Sequence, residues 1–420
     1  MLDVRRIRET PEEVKALLAI KGGDYAIDRI LDVDRERRRI LVELENLKAL
    51  RNRVSQEIAD LKRQSLGAES KILEMRSVGE NIQALEQQLT AADTQLAELL
   101  WATPNTPLPR VPTGKGAEDN VCVYVFGQPT AFSFDPMPHW ELGERLDIFD
   151  FERAHKITGA RFTVLKGMGA KLSRALTNFM LDHAQARGYV EVLPPFLANR
   201  DSLIGTGQFP KFQEDVFRIE PHGLFLIPTA EVPLTNLHRG EILEESELPK
   251  RYVAASSCFR AEAGAAGRDT RGLIRQHQFE KVELVQVVRP QDSEETLEAM
   301  RRDAETVLED LELPFRTVLL CGEDMGFSQA MTYDIEVWLP SYGRYVEISS
   351  VSSMTDYQAR RSEIRYRPQG SRKTELTHTL NGSALAVGRT IAAIVENGQT
   401  EAGRVRLPGR LQPYLGVAEI

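Results

Sequence analysis

Cysteine is scarce in this 420-residue chain: only Cys122, Cys258 and Cys321 occur, and they lie far apart. There is no CxxC pair and no Cys/His ligand spacing. That excludes a disulfide framework, leaves no structural zinc to expect and fits a reducing compartment. Long apolar runs are also missing. "MLDVRRIRETPEEV" has no hydrophobic core of a secretory signal, and no stretch approaches a bilayer span. The expected location is therefore cytoplasmic, with no membrane partner. A generally basic surface is excluded by the net charge of −9, although a local basic face remains open. "GKG" at 114–116 lacks the GxxxxGK[ST] spacing of a phosphate-binding P-loop. No low-complexity tract occurs, and no Ser-His-Asp grouping stands out.

What is present divides into unlike regions. Thr10 followed by Pro11, Glu12 and Glu13 reads as a helix start. Apolar residues then fall at Val33, Ile40, Leu44, Leu47, Val54, Ile58 and Leu61, with Arg37 and Arg51 at two further seam positions. A second run uses Val78, Ile82, Leu85, Leu89, Ala92, Leu96 and Leu99. "SLGAES" separates the two, with Gly67 as stop and Ser70 as a possible cap. Heptad runs joined by so short a turn predict an antiparallel coiled-coil arm. Its first helix is rich in arginine and lysine. Such a rod suits either a dimerisation coil or a surface laid along phosphates.

Pro104, Pro107, Pro109 and Pro112 end the arm and read as a semi-rigid connector. The expected organisation is an N-terminal domain over 1–102, a proline-rich linker over 103–119 and a larger domain over 120–420. Beyond residue 120, strands follow one another without intervening helices, as in "RYVAASSCFRAE" with "HQFEKVELVQVV" and the hairpin "MTYDIEVWLPSYGRYVEISSVSS". The fold class is α+β, with a mostly antiparallel sheet flanked by helices.

Side chains two apart on a strand share a face. Cys258, Arg260 and Glu262 form one such set, and Arg275, His277, Phe279, Lys281 and Glu283 another. Paired strands would gather Arg260, Glu262, Arg275, Phe279 and Glu283 on one surface. That is poor core: it is either a solvated face with cross-strand ion pairs or a nucleotide site, with arginines on phosphates and a ring under a base. Cys258 reads as a small buried residue and His277 as a packing residue.

These motifs resemble a known family. "FRAE", a variable loop and "RQHQF" are similar to motif 2 of class II aminoacyl-tRNA synthetases. "GYVEVLPPFL" with Pro195 is similar to motif 1, and "TLNGSALAVGRT" with Arg389 to motif 3. "PTAEVPLTN", "GTGQFPKF", "VEISSVS" and "DYQARR" look like the seryl-tRNA synthetases of bacterial type, a resemblance covering the whole chain. It implies ATP, L-serine and tRNA(Ser) as substrates, leaves tRNA(Sec) open as a second acceptor, and brings with it Mg²⁺ and a homodimer formed through motif 1. By that resemblance Arg260 and Arg389 are catalytic. ATP is bound by Arg260, Ala261, Glu262, Arg275, Phe279, Glu347, Ile348, Ser349, Ser350 and Arg389. Serine is bound by Thr229, Ala230, Glu231, Arg260, Glu283, Asn381 and Ser383. Glu347 and Ser350 match the metal ligands. On a flat strand those two face opposite sides, so a bulge is expected between them. Arg38, Arg39, Arg53, Lys62, Arg63, Arg268 and Arg271 are the candidate tRNA contacts. Met331 stands where the family leads one to expect a lysine. Two other readings are a relative that loads a carrier protein, against which the long arm argues, and a non-catalytic descendant, against which the intact motif residues argue.

Overall fold

The computed structural model describes residues 1–262 and 271–420. The chain divides into two compact units, one of residues 2–19 and 23–103, the other of Met1, 20–22 and 104–420.

The smaller unit holds α1 (Val4–Glu9), α2 (Pro11–Ala19), α3 (Ile27–Arg63) and α4 (Glu69–Trp101). Helices of 37 and 33 residues reach about 55 and 50 Å at ~1.5 Å per residue. Ile40 and Leu44 pack against Val78, Ile82 and Leu85, flanked by Leu47 and Leu89. Arg37 pairs with Asp93, Lys48 with Glu86 at 2.7 Å and Lys71 with Glu57. As position rises on α3 its partner falls on α4, so the hairpin is antiparallel. Ser70 does not cap: α4 begins at Glu69 behind Ala68, whose side chain has nothing to bond with. Thr10 does precede a helix that starts at Pro11, its carbonyl accepting the Val14 N–H at 3.1 Å, while its hydroxyl donates back to the Arg6 carbonyl (3.3 Å).

The larger unit is built on an eight-stranded sheet: β1 (Val121–Phe126), β2 (Val190–Glu191), β3 (Lys250–Phe259), β4 (Gln278–Val288), β5 (Phe315–Leu319), β6 (Met331–Leu339), β7 (Arg344–Thr355) and β8 (His378–Ala386). Their spatial order is β1-β5-β6-β7-β8-β4-β3-β2. Every neighbouring pair is antiparallel except β2 with β3, where Val190 lies beside Tyr252 in parallel. One face carries the core, in which Val282, Leu284, Ile335 and Leu385 meet the helices Met168–Gln185, Ser293–Asp310 and Val387–Asn397. The opposite face carries the polar side chains of the cleft, together with smaller apolar clusters around Val285 and Val287.

The proline-rich segment is no solvated connector. Asn105 is buried and donates to the carbonyls of Ser328 and Met354 at 3.1 and 2.8 Å, while the Leu108 N–H bonds to Ala330 O. Prolines fix the path, and the asparagine amide supplies the donors that prolines lack.

Candidate active site

β3 and β4 pair with Cys258 opposite Phe279, Ser256 opposite Lys281 and Ala254 opposite Glu283. The small residues of β3 leave room for the larger ones of β4. Strand alternation sends Phe279, Lys281 and Glu283 into a cleft of about 280 Å³, while Val282 and Leu284 go to the core. Arg260, Glu262, Arg275, Glu347, Ser350, Ser383 and Arg389 line the same cleft, as do Thr229 and Glu231.

Alternation stops at the strand ends. Glu262 enters the cleft from a left-handed backbone turn (φ 52°) rather than from strand geometry. Arg275 donates to its carboxylate at 2.5 Å. His277 leaves the set: its Nδ1 bonds to Arg260 O at 2.9 Å, and its ring lies between Phe162 and Phe217. It braces the backbone from which Arg260 projects. The Arg260 guanidinium lies 5.1 Å from the centre of the Phe279 ring and reaches the Pro228 carbonyl. Cys258 is fully buried, and burial pushes its thiol up, away from the reactive thiolate.

The expected bulge is there. Ile335 pairs with Ser349 but Glu336 pairs with Glu347, so Ile348 is the extra residue. Ser350 lies opposite Asp334. Asp334 and Glu336 are two apart on a strand, so Glu347 and Ser350 come to share a face. Desolvation opposes the charge of Glu347, but the Arg389 and Arg260 guanidiniums outweigh it and hold the carboxyl below its usual range. Asp334 is raised well above its usual range by desolvation and then by the neighbouring Glu347 charge, with Ser350 as its hydrogen-bond donor. The buried Asp334 Oδ1 has no partner among the described residues.

In the same cleft, Glu283 is fully buried and accepts from Asn381 Nδ2 at 3.1 Å, from Ser383 Oγ at 3.3 Å and from Lys281 Nζ. The Lys281 ammonium also donates to Thr229 Oγ1 at 3.0 Å. Glu231 accepts from Gln358 Nε2 at 2.6 Å. Burial, and then the Glu283 charge, push Glu231 up to about 7. Thr229 also receives the Glu231 N–H at 3.2 Å, which starts the short helix Glu231–Asn236.

Some predicted residues are placed elsewhere. Ala230 is buried against Leu234, Ala254 and Val285, and Ala261 offers its N–H to Asp215 O, so neither lines the cleft. Met331 is buried in the core and also stays out of it. Arg268 lies outside the described residues, and Arg271 is exposed. On α3, Arg38 pairs with Asp34, Arg39 with Glu36 and Glu43, and Arg63 with Asp60, so part of the basic face is neutralised within the helix. Arg53 and Lys62 are exposed.

Sequence reasoning assigned no site role to Lys281, although alternation set it beside Phe279 and Glu283. It also missed Asp334, Gln358 and Gln329, which come from distant segments. Gln329 bonds to Ser352 Oγ at 3.0 Å. Its loop is tied down by the buried Lys21, whose ammonium donates to the carbonyls of Gly326 at 2.8 Å and Gln329 at 2.6 Å.

A sheet of this order with such a cleft defines a class of enzyme. Residues 215–398 match the tRNA synthetase class II core domain (G, H, P, S and T), and residues 1–107 match the Seryl-tRNA synthetase N-terminal domain. The chain is 55% identical over 421 residues to the serine--tRNA ligase of Carboxydothermus hydrogenoformans, covering 100% of this chain and 99% of that relative. It is 56% identical over 422 residues to that of Geobacillus kaustophilus, covering both chains fully. The crystal structure of seryl-tRNA synthetase from Pyrococcus horikoshii complexed with ATP superposes with a TM-score of 0.94 at 38% identity, covering 100% of this chain and 99% of that one. The chain belongs to the seryl-tRNA synthetase family, ATP-dependent ligases of class II.

Proposed function

We infer that this cleft divides the family's two-step reaction among named side chains. In the first step a serine carboxylate oxygen bonds to the α-phosphorus of ATP as the bond to the β-phosphate oxygen breaks, giving seryl-adenylate and pyrophosphate. In the second, the terminal ribose hydroxyl of tRNA(Ser) attacks the seryl carbonyl and AMP leaves. No side-chain nucleophile is needed, so positioning and charge neutralisation supply the rate. The observation that carries this reading is the polarity of the cleft. Arg260, Arg275 and Arg389 line the same cavity as the carboxylates Glu231 and Glu283 and the hydroxyls of Thr229 and Ser383.

Arg260 meets the α-phosphate and Arg275 the outer phosphates, while Phe279 and Arg389 hold the adenine between a ring and a cation. Glu262 takes the adenine amino group and is released from Arg275 as the phosphates arrive. Ile348 and Ser349, which line the cleft, lie along the nucleotide. Thr229, Glu231, Glu283, Asn381 and Ser383 hold the serine ammonium and hydroxyl. A pocket built to bond a hydroxyl rejects alanine by leaving those groups unpaired.

The donor set suits Mg²⁺: the Glu347 carboxylate and the Ser350 hydroxyl share one strand face, and the Asp334 oxygen unpartnered among the described residues stands on the neighbouring strand opposite Ser350, all hard ligands. Bound there, the ion would neutralise phosphate charge. The chain's own part is to hold these oxygens by the bulge at Ile348.

The exposed Val190, Leu193 and Leu197 of the motif 1 stretch support a homodimer. The arm, with Arg53 and Lys62 exposed beside the paired Arg38, Arg39 and Arg63, supports backbone contact with tRNA(Ser). Arg268 and Arg271 flank the acceptor end in this reading. No helix among the described residues is long and apolar enough to cross a membrane, which is compatible with a cytoplasmic enzyme. The test is pyrophosphate exchange over all twenty amino acids, followed by charging of bulk tRNA. Exchange with an amino acid other than serine, or adenylate without tRNA charging, overturns the reading. Purified tRNA(Sec) offered in the second stage decides whether it too is charged.

A further inference from the structure

Outside the cleft, one fully buried histidine is linked to the reaction by geometry alone. His139 opens the helix His139–Arg145, and Glu396 closes the helix Val387–Asn397, whose first turn carries Arg389. His139 Nδ1 lies 2.6 Å from Glu396 Oε1, and both side chains are completely buried. The same carboxylate accepts from the Ser341 hydroxyl at 2.7 Å, the Ser341 N–H at 2.9 Å and the His139 N–H at 3.1 Å. Burial opposes its charge, but His139 and Ser341 outweigh that and hold the carboxyl below its ordinary range. The other imidazole nitrogen, Nε2, accepts the backbone N–H of Leu273 at 3.0 Å. An Nε2 that accepts leaves the proton on Nδ1, which donates to Glu396.

Leu273 lies two residues before Arg275, on the strand-ward side of the motif 2 loop. One residue further, the Ile274 carbonyl accepts from Arg389 Nε at 3.0 Å. One helix thus grips residues 273–274 twice, through Arg389 at its start and through Glu396 and His139 at its end. Gly272, just before the grip, has φ +71°, and a Cβ there would meet His139 Nε2 at 2.1 Å. The backbone approaches the imidazole too closely for any other residue.

We propose that His139 is a positioning residue for ATP: held by Glu396, its Nε2 fixes the Leu273 backbone so that Arg275 and Arg389 face the cleft in register. This rests on the reading of those two arginines as nucleotide contacts. His139 touches no substrate. It acts by removing freedom from the segment that carries Arg275, and its hydrogen-bond partners among the described residues, Glu396 and Leu273, include none of the serine-binding candidates.

The test compares two isosteric substitutions by serine-dependent pyrophosphate exchange, with thermal melts alongside. His139→Gln places an amide oxygen near the Nε2 position and keeps an acceptor for Leu273. His139→Asn reaches only the Nδ1 position and keeps Glu396 company while leaving the Leu273 N–H unpaired. The expected result is a KM for ATP raised roughly tenfold in the asparagine variant, the scale of one orphaned buried donor, with KM for serine unchanged. The glutamine variant should stay within roughly threefold of wild type. Should the asparagine variant not fold, Gly272→Ala tests the same contact and should show the same ATP-selective rise. An unchanged KM for ATP, or equal rises for ATP and serine, overturns the proposal. Arg275→Ala is the control: if it leaves KM for ATP unchanged, the underlying reading of the cleft has failed, independently of His139.

Discussion

Glu347 and Ser350 share one face of their strand although three positions separate them, because Ile348 is an extra residue in the pairing with Met331–Leu339. Ser350 is backed by Asp334, and Glu347 is flanked by Arg389, whose Nη1 donates to the Glu347 carbonyl at 2.6 Å. The bulge turns an ordinary edge-to-edge strand pair into a cluster of oxygens aimed at the cleft.

Glu347→Gln should therefore shift the metal requirement more than the fold. The Mg²⁺ concentration for half-maximal pyrophosphate exchange should rise, and the exchange rate should drop by about 10²–10³, the scale seen when one preorganised electrostatic contact is lost. A titration with unchanged midpoint would remove Glu347 from the metal site.

Arg260→Ala should lose adenylate formation by a similar factor of about 10²–10³. The far-ultraviolet circular dichroism spectrum should be unaltered, because the guanidinium faces the cleft, over the Phe279 ring and against the Pro228 carbonyl, and not the core of the sheet. Near-normal exchange would show that the α-phosphate is met elsewhere.

Lys281→Met should leave the Glu283 carboxylate buried without its cation. Breaking a buried pair from one side costs about 3–5 kcal/mol, so a fall in melting temperature and a higher KM for serine are expected together. A variant with normal stability and serine affinity would mean that Lys281 merely fills space.

Glu231 supplies a pH dependence with a definite sign. Its folded-state pKa of about 7 lies above the ordinary 4.5, so between those values the folded protein binds more protons than the unfolded one, and stability falls as pH rises. At about 1.4 kcal/mol per unit, the loss approaches roughly 3 kcal/mol above pH 7. Glu231→Gln keeps an acceptor for Gln358 and should flatten this part of the denaturation profile. A wild-type and variant difference independent of pH would contradict the assignment.

Shortening the arm, by replacing residues 48–84 with a short glycine turn, should leave seryl-adenylate formation intact and abolish tRNA charging. The cut respects the antiparallel register, in which Arg37 meets Asp93, and the surviving helices keep their base packing. Equal loss of both activities would mean the arm serves the catalytic unit rather than tRNA.

Much of this was legible from residue order. The heptads gave the hairpin, because a 3–4 apolar repeat can be satisfied only by a partner helix. Adjacent strand patterns gave the antiparallel sheet, and strict alternation put Phe279 and Glu283 together. The need for a bulge followed from the parity of positions 347 and 350. Alternation misled where the strands end: His277 is displaced and Glu262 arrives by a left-handed turn. The proline segment read as a connector because nothing local shows that Asn105 finds acceptors at Ser328 and Met354.

The sequence by itself determined the hairpin, the sheet class and the residues that pair across two neighbouring strands, since those depend on periodicity and near contacts. Only the tertiary structure decided which charges neutralise one another. Lys281 meets Thr229, Glu231 meets Gln358 and His139 meets both Glu396 and Leu273. Those partners lie tens to hundreds of residues apart, and no local spacing encodes them. A buried polar group must find its partner wherever folding brings one, and that search is settled in three dimensions.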